Sequence, residues 1–118
     1  MRRLFAIAII ISLTSACNTG GIACTALYAY GISATVTNAV TGEAISNATL
    51  TLTDGAYQET MTSFPSNEFV GAGERKGTYT LTATAAGFAT KTITNIVVTA
   101  DQCHVQGVHV DVQMQPSP

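Results

Sequence analysis

Apolar and polar residues alternate along most of the chain beyond its N-terminal segment. Between residues 78 and 84, Tyr79, Leu81 and Ala83 occupy every second position, and threonines fill the positions between them. Residues 32–37 show the same alternation. A period of two residues is that of a β-strand with one face buried and the other in solvent. The pattern therefore predicts β-strands whose apolar faces meet in a common core.

Residues that favour turns separate seven runs of this kind. Asp54-Gly55 lies between two of them, and both residues tolerate the positive φ of a hairpin turn. No window has the period of a long amphipathic helix, and turn residues recur at about the 8–12 residue spacing of an antiparallel sandwich. We predict an all-β, seven-stranded antiparallel β-sandwich. The predicted strands cover residues 32–37, 48–53, 56–61, 69–70, 78–84, 88–99 and 105–114.

The connection between the fourth and fifth predicted strands is polar. It carries Glu74, Arg75 and Lys76 between glycines. Charged side chains are almost always at the protein surface. We predict a polar loop over residues 71–77 in which residues 74–76 form a solvated turn, and a contact site at 74–76 is the alternative.

The composition limits the size and class of the protein. Its 118 residues and 12.2 kDa are enough for one domain with one modest core. Apolar residues make up 47% and charged residues 10%, which excludes a disordered polyelectrolyte and a coiled coil. A net charge of -2 lacks the basic excess that phosphate neutralisation requires, so we expect no nucleic-acid partner.

The first residues have the organisation of an export signal. A positive segment at residues 1–3 precedes an apolar run at 4–13, which is shorter than the roughly 20 residues of a membrane-spanning helix. Small residues then lead directly to Cys17, and the stretch over residues 13–17 resembles the lipobox of bacterial lipoproteins. The sequence departs from that family at Thr14, where leucine is usual.

The resemblance implies a lipid anchor. In that family the signal is cleaved before the cysteine, whose sulfur receives a diacylglycerol and whose new amino group is acylated. We therefore expect Cys17 to be lipidated, and several acyl chains on one residue would hold the product stably on a membrane. The alternative is secretion after Ala16, with Cys17 left as a free thiol. Asn18 in place of aspartate removes the inner-membrane retention signal, which favours the outer membrane or the cell surface.

These patterns divide the chain into four parts. The body of the protein is the predicted sandwich, and the polar C-terminal residues are expected to fray. The parts are a lipoprotein signal peptide at 1–16, the lipidated cysteine and a short tether at 17–24, the sandwich at 25–115 and a tail at 116–118.

The chain contains three cysteines, and lipidation of Cys17 leaves Cys24 and Cys103 as a pair. An exported protein meets an oxidising compartment, where the two can join. A disulfide closing a loop of about 80 residues stabilises a fold by about 4 kcal/mol in the chain-entropy model. The alternative is a metal site built from both cysteines and His104, but it lacks a convincing fourth ligand.

Four short segments, taken in order, carry a family resemblance. They resemble the hairpin and strand motifs of the carboxypeptidase regulatory-like domain, and the similarity extends from Ile32 to Pro116. The departures are Ala44, where that family has proline, and Phe88, where it usually has tyrosine. The resemblance implies a transthyretin-like or prealbumin-like β-sandwich. The segments are residues 40–45, 47–52, 77–82 and 86–88, which read VTGEAI, NATLTL, GTYTLT and AGF.

Candidate catalytic groups are few. His109 and Asp111 share one face of the last predicted strand, about 7 Å apart, and a carboxylate could orient the imidazole. No motif places a serine or cysteine nucleophile beside them. We therefore predict a solvated surface pair, no catalytic site, no metal and no cofactor.

Three tyrosines are the candidate ligand contacts besides that pair. Tyr28, Tyr30 and Tyr57 could form an aromatic platform for a sugar ring, because aromatic faces stack on its apolar surface. The alternative is that they pack against the core or cover a sheet edge.

Taken together, the sequence predicts a non-enzymatic lipoprotein of the cell envelope. Its sandwich would serve as a structural or protein-interaction module, and the alternative is a glycan- or peptide-binding accessory module at the cell surface. The expected partners are the membrane, through the N-terminal lipid, and an envelope protein or a glycan.

Overall fold

The computed structural model describes residues 24–118, and over this range the chain forms eight β-strands and no helix. The predicted signal peptide and Cys17 lie outside the described residues. Within those residues, no helix could span a membrane. The strands are β1 (Tyr30–Asn38), β2 (Thr49–Asp54), β3 (Tyr57–Thr60), β4 (Thr62–Phe64), β5 (Glu68–Gly73), β6 (Gly77–Thr84), β7 (Lys91–Val98) and β8 (Val108–Met114).

The strands form two four-stranded sheets. The first sheet has the order β4-β5-β1-β8, and the second has the order β3-β2-β6-β7. β1 pairs with β5 antiparallel and with β8 parallel, with Ile32 opposite Val108. All pairs of the second sheet are antiparallel. The predicted all-β sandwich is therefore confirmed in its architecture.

The core lies between the two sheets and consists of the apolar members of the alternating runs. Tyr79, Leu81 and Ala83 of β6 are buried, and the threonines between them face outward. No polar or charged residue among residues 24–118 is buried. The largest fully buried side chains are those of Tyr79, Phe69, Ile32, Leu50, Leu52, Leu81, Met114, Val36 and Val112.

The prediction of seven strands is wrong, because the chain crosses between the sheets at Met61. β3 ends at Thr60 in the second sheet, Met61 points into the core, and Thr62–Phe64 pairs with β5 in the first sheet. The Met61 N–H donates to Leu50 O at 2.8 Å, so the crossing keeps its backbone hydrogen bond. The strand predicted at residues 69–70 is present as the longer β5, but it is not the short edge strand that was expected, because it lies between β4 and β1.

The closing strand departs from the predicted antiparallel arrangement. β7 belongs to the second sheet and β8 to the first, so residues 99–107 carry the chain across one end of the sandwich. β8 therefore lies beside β1 and runs parallel to it. Beyond β8, Gln115 O accepts from the Ala89 N–H at 2.8 Å and the Ser117 N–H donates to Gly87 O at 2.9 Å, so the C-terminal residues are held rather than frayed.

Candidate functional site: the clamped end and the polar sheet face

A disulfide between Cys24 and Cys103 closes one end of the sandwich, which confirms the predicted pairing. Their Cα atoms are 5.2 Å apart. The bond fixes the residues that precede β1 to the loop that precedes β8. We call this region the clamped end; it comprises residues 24–30, the β5–β6 turn at 73–77 and the loop at 99–107.

Glu74 joins the segments of the clamped end in addition to the disulfide. Its carboxylate accepts from the N–H of Ala29 at 2.8 Å and of Val105 at 3.3 Å, and its Oε2 lies 2.7 Å from His104 Nδ1. The Ala29 N–H, followed by His104, holds the pKa of Glu74 below its ordinary value. The polar loop predicted over residues 71–77 is shorter in the structure, because β5 extends to Gly73 and β6 begins at Gly77. Glu74 and Lys76 are exposed in this turn, and Glu74 also joins three segments.

Asp101 organises the loop that carries Cys103. Its Oδ1 accepts from the N–H groups of Cys103 and His104, both at 2.8 Å, and Gln106 Nε2 donates to its Oδ2 at 2.9 Å. These donors, led by the His104 N–H, lower the pKa of Asp101. His104 Nε2 in turn lies 3.1 Å from Thr25 Oγ1. Both ring nitrogens of His104 thus contact segments distant in sequence.

Tyr57 is held in a separate cluster at the β5–β6 turn. The Arg75 guanidinium stacks 3.7 Å from the centre of the Tyr57 ring and lies 3.1 Å from Asp54 Oδ2. The Tyr79 hydroxyl donates to Arg75 O at 2.7 Å. The Tyr57 hydroxyl donates to Glu59 Oε1 at 2.6 Å, which raises the pKa of Tyr57 to about 12. Both the ring and the hydroxyl of Tyr57 are therefore engaged within the protein.

Tyr28 and Tyr30 lie side by side at the clamped end. Their rings meet edge to face with centres 5.2 Å apart, and Tyr28 also lies across Gly73. A side chain at Gly73 would overlap the Tyr28 hydroxyl. Of the three tyrosines singled out in the sequence, the structure brings these two together, whereas Tyr57 meets the Tyr79 ring edge to face and stacks with Arg75.

His109 lies on the outer face of the first sheet among hydroxyl groups. Its Nδ1 is 2.9 Å from Ser33 Oγ, and its Nε2 is 3.0 Å from Thr35 Oγ1. Thr35 Oγ1 also donates to Glu68 Oε2 at 2.9 Å, and Asp111 Oδ1 lies 3.4 Å from His109 Nε2. We call these five residues the polar face.

Ser33, Thr35 and Glu68 are the members of the polar face that sequence reasoning missed. The parallel register that places Ser33 opposite His109 joins strands at the two ends of the chain, and no local pattern reports it. A serine beside a histidine suggests a nucleophile, but nucleophilic catalysis needs an oriented carboxylate and donors for an oxyanion. Asp111 is 79% exposed at its side chain, so it is a solvated carboxylate. The arrangement is suited to hydrogen bonding with polar groups.

The disulfide removes the metal site considered as an alternative, because it uses both cysteine sulfurs. Over residues 24–118, no group of three or more histidine, cysteine, aspartate and glutamate side chains could hold a metal ion.

Comparison with protein families gives one match over most of the chain. The model of the carboxypeptidase regulatory-like domain matches residues 31–115, which includes all eight strands except the first residue of β1. No curated protein matches the chain.

Proposed function

Because the chain belongs to the carboxypeptidase regulatory-like domain family, with its transthyretin-like or prealbumin-like fold, we propose that it is a non-enzymatic lipoprotein of the bacterial cell envelope. The sandwich serves as a structural or protein-interaction module, held on the outer membrane or the cell surface by acyl chains on Cys17. That family is generally non-catalytic, which agrees with a rigid display module.

The observation that carries this proposal is the position of the disulfide. Cys24 follows the lipobox cysteine by seven residues and is joined to Cys103 at the clamped end. A disulfide agrees with export to an oxidising compartment. The bond also places a covalent link between the sandwich and the short segment that leads back to Cys17.

Metabolic labelling with a palmitate analogue tests the anchor. Wild type and Cys17→Ala are expressed in a bacterial host, and membranes are separated from soluble fractions. We expect label on the wild type in the membrane fraction and none on Cys17→Ala, which should appear as a soluble or uncleaved chain. Equal labelling of the two proteins would overturn the lipoprotein assignment.

The polar face favours a second candidate function, the binding of a glycan or a peptide. Ser33, Thr35 and His109 present donors and acceptors in fixed positions on an exposed sheet, which suits hydroxyl or amide partners. Glycan and peptide arrays probed with wild type and His109→Ala test it, with Lys91→Ala in the second sheet as the control. Signals that only His109→Ala loses support this candidate, and signals equal for all three proteins contradict it.

A further inference from the structure

We propose that the clamped end lies against the lipid bilayer, with Leu27, Tyr28 and Tyr30 inserted among the lipid headgroups. This inference rests on the proposed anchor at Cys17 and names a second contact with the same membrane. The surface is defined by four exposed apolar side chains, which we call the apolar patch: Leu27, Tyr28, Tyr30 and Val97.

Exposed large apolar side chains concentrate at this end of the molecule. Six occur among residues 24–118, and the four of the apolar patch belong to the clamped end or adjoin it. Val97 adjoins it because β7 ends beside the start of β6, with Thr78 opposite Val97. The other two are Val40 and Phe64. A group of exposed apolar side chains at one end of a small domain is a candidate interaction surface.

The two tyrosines of the patch are held in a fixed arrangement. Tyr28 packs across Gly73 and against the edge of the Tyr30 ring, and Tyr30 begins β1. Leu27 precedes them and is 74% exposed. Tyrosine has an apolar ring and a polar hydroxyl, so it favours the boundary between lipid chains and water. Two adjoining tyrosines and a leucine thus suit the headgroup region of a bilayer.

The length of chain before the disulfide identifies the bilayer as the partner. Cys17 and Cys24 are seven residues apart, a separation that spans at most about 25 Å when fully extended. A domain of this size is about 30 Å across, so the clamped end stays within one domain width of the bilayer. Without the disulfide, the first residue held in a strand would be Tyr30, and thirteen residues reach about 45 Å. The clamp therefore raises the effective concentration of the patch at the lipid surface.

The charged groups at this end are mostly paired within the protein. Glu74 and Asp101 are exposed, but both carboxylates accept from backbone N–H groups, and Glu74 also lies beside His104. Arg75 pairs with Asp54. Lys76 is exposed and lines one shallow groove with Val97. A lysine beside an apolar group can lay its stem on lipid and leave its ammonium at the phosphates.

The chain contains no tryptophan, so a single introduced tryptophan reports on one position. Leu27 and Val40 are matched sites, because they are 74% and 71% exposed, yet Val40 follows β1 at the opposite end from Tyr30. Full-chain Leu27→Trp and Val40→Trp are purified from membranes. They are reconstituted into vesicles of phosphatidylethanolamine and phosphatidylglycerol with brominated acyl chains, which quench nearby tryptophan. Equal thermal unfolding midpoints show that both variants fold.

We expect brominated acyl chains to quench the tryptophan emission of the Leu27→Trp protein and to leave that of the Val40→Trp protein unquenched. Equal quenching of the tryptophan emission in both proteins would overturn the inference and indicate that the patch meets a protein or solvent. The mass of Cys17 is measured on the same samples and reports separately on the anchor. If the cell leaves Cys17 unmodified, the proposed function fails. Cys17 is then coupled to a maleimide lipid, and the emission comparison still decides whether the patch meets the bilayer.

Discussion

The two ends of the sandwich are closed in different ways. At the end opposite the clamp, which we call the far end, Asn38 forms a local turn in which its Oδ1 accepts from the N–H of Val40 at 2.8 Å and of Thr41 at 3.1 Å. At the clamped end, Cys24 and Cys103 are 79 residues apart in sequence, and Ala29 and Glu74 are 45 apart. The far end also joins distant segments, because the Ala39 N–H donates to Met114 O and the Ala89 N–H donates to Gln115 O, both at 2.8 Å. The ends differ in that the clamped end adds a covalent link.

This difference between the ends shows which contact makes the stability of the domain depend on an oxidising compartment. A local turn orders only its own few residues. A disulfide that joins residues far apart in sequence lowers the conformational entropy of most of the unfolded chain. The free energy of unfolding of the whole domain therefore depends more on the disulfide at the clamped end than on the turn at the far end. The domain is expected to be firmest where the proposed anchor enters it.

Among variants at the two ends, the double variant Cys24→Ala with Cys103→Ala should lower the free energy of unfolding the most. Loss of a bond that closes a loop of this size lowers the free energy of unfolding by about 4 kcal/mol, measured by chemical denaturation. The reduced wild type serves as the control for changes in packing. A loss below about 1 kcal/mol would mean that the other contacts of the clamped end suffice.

A smaller effect, dependent on pH, is expected from Glu74→Gln. The folded pKa of Glu74 lies below its unfolded value, so the carboxylate stabilises the fold above the usual titration range, and this stabilisation is lost as pH falls through the folded pKa. The difference in unfolding free energy between wild type and Glu74→Gln should be greatest near neutral pH and shrink below about pH 4. Glu43→Gln at the exposed far-end turn is the matched control.

A difference between wild type and Glu74→Gln that stays constant from neutral to acidic pH would contradict a role for the charge. A loss equal to that of Glu43→Gln would show that the contacts of Glu74 to Ala29 and His104 add nothing to stability.

The smallest effect is expected at the far end, from Asn38→Ala. It removes an acceptor for two N–H groups that water can reach, so the free energy of unfolding should fall by about 1 kcal/mol or less. Asn38→Asp keeps an oxygen at that position and should retain most of the stability. A loss as large as that of the disulfide variant would end the contrast between the two ends.

Local patterns predicted most of the strands, because those strands alternate buried and exposed residues. The alternation at Tyr79, Leu81 and Ala83 reports burial directly, and all three are in the core. The hairpin at Asp54-Gly55 was also predictable, because its turn needs a positive φ and Gly55 adopts a φ of +62°. The crossing at Met61 was missed, because a three-residue strand with exposed side chains has no period to detect.

Contacts between distant strands were the part that the sequence could not supply. The disulfide was predicted by counting cysteines, but the triad of Ala29, Glu74 and His104 has no sequence signal, since its members look like solvated residues. The same holds for Ser33 beside His109, which depends on a parallel register. Side-chain sites on this fold follow from strand order, and strand order is decided by packing of the whole chain.

Intact-mass spectrometry of the protein from its native membrane, with and without reduction before thiol alkylation, tests the anchor and the clamp together. We predict a chain that lacks Met1 to Ala16, carries added acyl mass, and gains two alkyl groups only after reduction. Those two groups belong to Cys24 and Cys103. A chain without acyl mass whose Cys17 is alkylated before reduction would contradict the anchor, and alkylation of all three cysteines without reduction would contradict the clamp.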